Sequence, residues 1–245
     1  MTDTDEPVIL GPVKQWSYSR LKNFEKCPHM VYLAAVKKEK RPEWDDDHPA
    51  MRGIRVHNHL EAYVKGETDE IIKEMKFFQE ELDDLREAYT EGKVSVEGDW
   101  GFDINWASTG WWDDDVWARI KLDAMKQLDE TTARVIDYKT GKKFGNEVSH
   151  TGQAQLYMIA GFLKYPDLNM IETDFYYLDQ KSGNRLKKTY TRNKLPLYMK
   201  KFTERAMKLT TCENFRPKPS KMNCKYCDFG PDNGSGVCPY GATCE

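Results

Sequence analysis

Apolar positions along the chain change period several times, and the changes predict the elements. Ser17 offers a helix N-cap, and Tyr18, Leu21, Phe24 and Tyr32 follow at helical spacing. Pro28 interrupts that stripe, so two short helices or one kinked helix are expected. Residues 50–65 repeat the pattern with Ile54, Leu60 and Tyr63 apolar and Gly66 as a stop. Residues 68–91 are charged and also read as helix, with Ile71, Ile72, Met75, Phe78, Leu82 and Leu85 inward. The period then drops to two. Residues 94–106, 116–125 and 133–138 read as strands, and Asp129-Glu130-Thr131-Thr132 predicts a hairpin between the last two. Residues 150–163 return to helix. Residues 173–178 and 186–190 read as strands about a Gly183-Asn184 turn, and 195–209 as a further helix. This order predicts an α/β (α+β) fold with a mixed central sheet flanked by helices.

Composition narrows the organisation. At 245 residues the chain accommodates one large domain with appendages. The reading is a flexible tail over 1–15, a domain over 16–211 whose first part (16–92) is helical, and a Cys-rich tail over 212–245. The net charge of −3 gives no global basic signature, so any nucleic-acid contact requires a local basic track. No apolar run reaches the ~18 residues of a membrane span. The polar, acidic residues 1–7 do not read as a signal peptide, which implies an intracellular location. The six cysteines are then expected as ligands or free thiols rather than disulfides.

Candidate chemistry centres on Asp123 and on Ala133-Arg134-Val135-Ile136-Asp137-Tyr138-Lys139-Thr140-Gly141. Asp123 sits mid-strand, where a carboxylate is costly unless a cation or hydrogen bonds meet it. Asp137 ends the next strand, and Lys139, two residues on, points to the same face. Two carboxylates can hold Mg²⁺ or Mn²⁺, with the Tyr138 carbonyl as a further ligand, and Lys139 can stabilise charge developing on phosphate. The competing reading is a surface pair of Asp137 and Lys139 with Asp123 at a turn. On the 50–65 helix, His57 can complete the metal shell, Glu61 can orient it, and His59 reads as surface. Gln153 and Tyr157 stand at i and i+4, with Lys142 and Lys143 just upstream, all suited to holding a DNA phosphate. Further basic groups are Lys37, Lys38, Lys40 and Arg41, and Lys181, Arg185, Lys187, Lys188 and Arg192. Trp111 and Trp112 could stack on unpaired bases, whereas Trp117 reads as core and Asp113-Asp114-Asp115 as a solvated turn. There is no phosphate-binding G-x-x-x-x-G-K-[ST], hence no nucleotide cofactor is expected.

Taken in order, Ser17-Tyr18-Ser19-Arg20-Leu21 with Phe24 to Pro28, Arg52-Gly53 to His57, Asp123, Ile136 to Gly141, and Gln153 to Tyr157 resemble the PD-(D/E)XK nuclease superfamily. The likeness is to its RecB/AddB-like branch, which includes CRISPR adaptation nucleases and phage exonucleases. The motifs span 17–157, and the late cysteines extend the likeness to nearly the whole chain. The resemblance implies a restriction-endonuclease-like core and a DNA exonuclease serving recombination, repair or replication. It implies His57, Asp123, Asp137 and Tyr138 as metal ligands and Lys139 as the catalytic lysine. Gln153 and Tyr157 would line the DNA site, and Glu97 would be an additional acidic member. The implied setting is the cytoplasm of a bacterial or phage-infected cell. The implied partners are DNA and a helicase or single-strand annealing or binding protein. The chain has Asp137 where Glu is commoner in the family. The rivals are a non-cleaving nucleic-acid-binding protein on the same scaffold and a zinc-stapled regulatory protein with an incidental Asp-x-Lys.

The Pro- and Gly-rich tail holds Cys224-Lys225-Tyr226-Cys227, Cys238 and Cys244, with too few apolar residues to pack itself. A metal staple is therefore expected. Two sites compete. The resemblance favours a [4Fe-4S] cluster on Cys27, Cys224, Cys227 and Cys238, although the Cys227–Cys238 gap is longer than usual. A structural Zn²⁺ on Cys224, Cys227, Cys238 and Cys244 is the alternative. Cys212 reads as small core filler.

Overall fold

In chain order the elements are α1 (Tyr18–Lys26), α2 (Pro28–Val31), α3 (Pro49–Lys65), α4 (Gln79–Thr90), β1 (Val94–Phe102), β2 (Ser108–Thr109), β3 (Ala118–Gln127), β4 (Thr132–Lys139), α5 (Glu147–Lys164), β5 (Met170–Tyr177), β6 (Arg185–Thr191), α6 (Leu195–Thr210) and α7 (Lys221–Lys225). The computed structural model describes residues 8–181 and 185–241, so the expected Gly183-Asn184 turn and Cys244 lie outside the described residues. The Glu97 side chain does too. The chain divides into one unit of residues 1–43 with 201–245 and another of residues 44–200. Among the described residues, no helix is long and apolar enough to cross a membrane.

The 44–200 unit is built on a sheet of order β2-β1-β3-β4-β5-β6. β4 and β5 run parallel and the other neighbours antiparallel. This is the mixed α/β architecture expected, with the β3–β4 hairpin in place. β4 is covered on both faces. On one, Val56, Leu60, Leu82 and Leu85 of α3 and α4 bury Ala124, Ile136 and Tyr138. On the other lies α5, where Gly161 permits the close approach. A Cβ there would stand 2.6 Å from Ile171 Cδ1.

Three expectations need correction. The 68–91 helix is only α4, preceded by a single 3₁₀ turn at Lys73–Met75, and Ile71 is exposed. Glu74 is the reason. It turns inward, 7% exposed, to meet Arg52, and an inward carboxylate breaks the apolar stripe. Two members of the late basic cluster are structural. Arg185 pairs with Asp174 and Glu81. Arg192 donates to the carbonyls of Phe162, Tyr165 and Leu168 where α5 ends.

In the other unit, Ser17 caps α1 and Pro28 occupies the first turn of α2, so the stripe breaks into two helices as expected. Trp16 stacks on Phe202, and Met30, Leu33 and Phe229 form a small core beside Cys27, Cys227 and Cys238.

Candidate active site

The site begins with a defect in the sheet. The β3–β4 ladder runs from Gln127↔Ala133 to Ala124↔Ile136 and stops. One step further, Asp123 and Asp137 would have faced each other. Instead β3 stays paired with β1 down to Ala118, β4 stays paired with β5 to Lys139, and the two strands part. At the fork the Tyr138 N–H donates to Asp123 Oδ2 at 2.7 Å. The side chain thus replaces a ladder bond that a buried amide cannot forgo.

Asp137 lies at the base of the fork with only 2% of its surface exposed. Its Oδ1 accepts from the Tyr157 hydroxyl at 2.6 Å. That hydroxyl accepts from Gln153 Nε2 at 2.6 Å, and Gln153 Oε1 accepts from Lys139 Nζ at 3.1 Å. Lys139 Nζ returns to Asp137 Oδ2 at 2.5 Å as an ion pair. The four side chains close a ring. Only one orientation of the Gln153 amide satisfies both neighbours, so the ring defines it. The ring ties the Asp-x-Lys of β4 to α5, using the i, i+4 pair expected from sequence.

His57 reaches the fork from α3. Its Nδ1 lies 3.2 Å from Asp123 Oδ1, and its ring meets Tyr138 edge-on at 5.9 Å. Glu61 does not orient it. Glu61 pairs with Lys65 one turn on, and Asp123 holds the imidazole instead. The Arg52-Gly53 pair explains how α3 comes so close. A Cβ on Gly53 would lie 3.3 Å from Thr140 Oγ1, just past β4. Arg52 donates to Glu74 at 2.9 Å and, with both terminal nitrogens, to Asp179 at 2.9 and 2.5 Å. Its pKa is driven up by Asp179 first and Glu74 next.

The electrostatics are those of crowded acids. Burial is the main force raising the Asp137 carboxyl above the ordinary range, with Lys139 opposing and Asp123 reinforcing. Burial also lifts the Tyr157 hydroxyl well above its usual value, helped by Asp137 and Asp123, so it remains a donor. For His57, burial works toward the neutral form, but the hydrogen bond and charge of Asp123 and the charge of Asp137 outweigh it. The net pKa is raised.

Sequence reasoning missed His150. It sits on α5 at i−3 from Gln153, a spacing that could have revealed it. Its ring stacks on Phe175 at 5.6 Å, and its Nδ1 lies 2.6 Å from the Tyr177 hydroxyl. Burial and then the charge of Lys139 depress it to about 4. Phe175, the partner of Asp137 across the parallel ladder, also lies 5.4 Å below Lys139 Nζ. Of the two basic residues expected at the DNA site, Lys142 is exposed, while Lys143 is tied to the Arg185 carbonyl at 2.8 Å.

The donor set of two carboxylates and an imidazole is the hard-ligand chemistry that suits Mg²⁺ or Mn²⁺. The Asp137 Oδ2 atom, buried and met by the Lys139 ammonium as a cation would meet it, fits a ligand role. Among the described residues, no three His, Cys, Asp or Glu side chains are gathered closely enough to hold a metal ion as they stand. His57 and Asp123 are turned to each other and Asp137 to Lys139.

Residues 119–231 match the PD-(D/E)XK nuclease superfamily. The match carries Asp123, Asp137, Lys139, Gln153 and Tyr157, and supports a nuclease-like domain; nucleases of this superfamily typically use Mg²⁺ or Mn²⁺. No curated protein matches the chain. A solved structure described as "Crystal structure of SSO0001" superposes with a TM-score of 0.50 at 17% identity, covering 93% of this chain and 87% of that one. It is similar in fold.

The cysteines form a separate arrangement within the 1–43 and 201–245 unit. Cys27, Cys224, Cys227 and Cys238 all line one apolar cavity of about 20 Å³. Cys224 is disulfide-bonded, and Cys27, Cys227 and Cys238 are free thiols. A thiolate committed to a disulfide is lost as a ligand.

Proposed function

We propose that this protein is a Mg²⁺- or Mn²⁺-dependent deoxyribonuclease that hydrolyses phosphodiester bonds at the β3–β4 fork. The observation that carries the reading is the ring that fixes Asp137 and Lys139 beside Asp123. It immobilises a buried acid and an ammonium group next to a second acid, Asp123, which the Tyr138 amide and His57 hold. The ordered motifs Ser17 to Pro28, Arg52 to His57 and Gln153 to Tyr157 support a RecB/AddB-like exonuclease acting in recombination, repair or replication.

His57, Asp123, Asp137 and the Tyr138 carbonyl would hold the metal, which supplies Lewis acidity and activates water when bound. Lys139 faces the same site and stabilises negative charge gathering on the phosphate. Tyr157 and Gln153 keep Asp137 and Lys139 in register, and Lys142 takes a neighbouring phosphate of the strand. The cavity shared by Cys27, Cys224, Cys227 and Cys238 supports a second reading of that unit, in which an external dithiol reduces the Cys224 disulfide to two thiols, itself becoming a disulfide, and the four cysteines would then hold an iron–sulfur cluster or Zn²⁺.

The test is end-labelled linear and circular DNA, single- and double-stranded, incubated with Mn²⁺ and either the native chain or Asp137→Ala. The protein is purified anaerobically and its visible spectrum recorded. Metal-dependent loss of linear DNA only, absent in the variant, is the expected result. Cut circles would make it an endonuclease. No cleavage by folded, metal-supplied protein would reduce the chain to a binding module.

A further inference from the structure

β3 leads away from the fork with its sides sharply divided. Ala118, Ile120, Leu122 and Ala124 are buried, while Arg119, Lys121 and Asp123 alternate with them on the other side of the strand. Successive side chains on that side are about 6.6 Å apart and span about 13 Å from Asp123 to Arg119. A carboxylate of the cutting site is therefore followed by two cations in single file. Lys121 is about half exposed, with Asp99 of β1 across from it at 4.0 Å.

The file ends at an exposed indole. Trp112 is 81% exposed, and the Arg119 guanidinium lies 5.0 Å from its ring and 5.4 Å from that of Trp111. Arg119 Nε donates to the Trp111 carbonyl at 2.9 Å, which fixes its orientation. The loop beneath is rigid. Trp106 and Trp117 meet edge-on at 5.7 Å in the core, and Asp103 accepts from the amides of Asn105 and Ala107. Asp113 caps the Gly110 amide at 2.6 Å. Flexibility therefore does not explain the exposure. A large aromatic held in water on a pinned loop, with a cation over one face of its ring and most of its surface still open, is the chemistry of a stacking platform. Asp114 and Asp115, both exposed beside it, repel phosphate. The tip thus admits the face of a base rather than a backbone.

The geometry points to a single-strand track. Lys121 and Arg119 hold successive phosphates flanking the cut, and Trp112 stacks the next unpaired base. A base inside a duplex has no free face, so the track selects single-stranded DNA beside the scissile bond. This inference rests on the nuclease reading for the place of the cut, but its test does not require cutting.

Affinity for labelled oligothymidylate and for a blunt duplex is measured in EDTA, in the non-cleaving Asp137→Ala background. Trp112→Ala is expected to weaken oligothymidylate binding about 5- to 100-fold, leaving the blunt duplex within about twofold and the melting temperature unchanged. Trp112→Phe recovers most of the loss. Lys121→Gln lowers the slope of log affinity against log salt by about 0.7 on the single strand. Unchanged oligothymidylate affinity in Trp112→Ala overturns the track, as does equal loss on both substrates. The latter would mark Trp112 as a contact that serves single strand and duplex alike. Trp112-dependent binding by a protein that never cuts leaves the track standing and removes the nuclease. Metal-dependent cutting by a protein indifferent to Trp112 does the reverse.

Discussion

Replacing Asp137 by Asn should make the metal-free protein more stable while abolishing its activity. The carboxyl is 2% exposed, receives one hydrogen bond, and shares its fork with Asp123. Burial chiefly raises it, and the attraction of Lys139 does not restore it. A carboxyl raised in the folded state adds stability below its ordinary value near 4, and that stability drains away as pH rises through the raised value. At pH 8 the ionised form is thus a net burden. Each pH unit of elevation corresponds to about 1.4 kcal/mol. Asn keeps an oxygen for Tyr157 and removes the charge; its amide nitrogen takes the Oδ2 place, so the Lys139 ammonium draws back to Gln153 and the face of Phe175. For a chain of this size, 1.4 kcal/mol is about 3–6 °C in melting temperature. Thermal unfolding in EDTA at pH 8 should show the variant melting above the native chain. With Mn²⁺ at about 100 times its dissociation constant, the native chain should gain about 2.7 kcal/mol and the variant far less. An Asp137→Asn protein that melts below the native chain in EDTA, and rises equally with Mn²⁺, would refute the reasoning.

Two further outcomes probe the surroundings of the fork. Arg52→Ala strands the buried Glu74, left with Lys73 at 3.9 Å among the described residues, and should cost about 2–3 kcal/mol, read as a fall of about 4–12 °C. Arg52→Lys should fall between, because it loses the two-pronged grip on Asp179, and a variant melting with the native chain would discount the clamp. His150, depressed to about 4, gives stability that is present above 6.5 and lost as pH falls toward 4. Because the ring is only half-buried, about 1–2 kcal/mol is expected after solvent screening. His150→Phe keeps the stack on Phe175 and should flatten that acid limb, and an unchanged limb would assign it to other groups.

Much of this was legible in the residues because it depends on local spacing. The Asp129–Thr132 turn between two alternating runs predicted the hairpin that sets Asp123 and Asp137 on neighbouring strands. The i, i+4 relation of Gln153 and Tyr157 predicted their shared direction, and they bond each other at 2.6 Å. What escaped depends on partners far along the chain. Nothing near Ala124 or Ile136 signals that the ladder stops there, since each strand alone continues. Glu61 looked like the companion of His57 by helical spacing, but Lys65 is equally spaced and carries a charge. Nothing beside Glu74 or Arg185 in the sequence points to their partners, 22 and up to 104 residues away.

The fork also explains why the site sits between β3 and β4. Opening a ladder at a sheet edge would leave one strand with no partner. Here both strands are interior. β1 continues to hold β3, and β5 continues to hold β4, so parting them exposes few backbone groups. The Tyr138 amide would be the costly remainder, and Asp123 satisfies it with one oxygen while the other faces His57. Asp123 therefore repairs the sheet as well as serving the chemistry, and Asp137 does only the second. Loss of Asp123 should disturb fold and function together. Loss of the Asp137 charge separates them, which makes Asp137 the residue at which catalytic need and structural comfort are opposed.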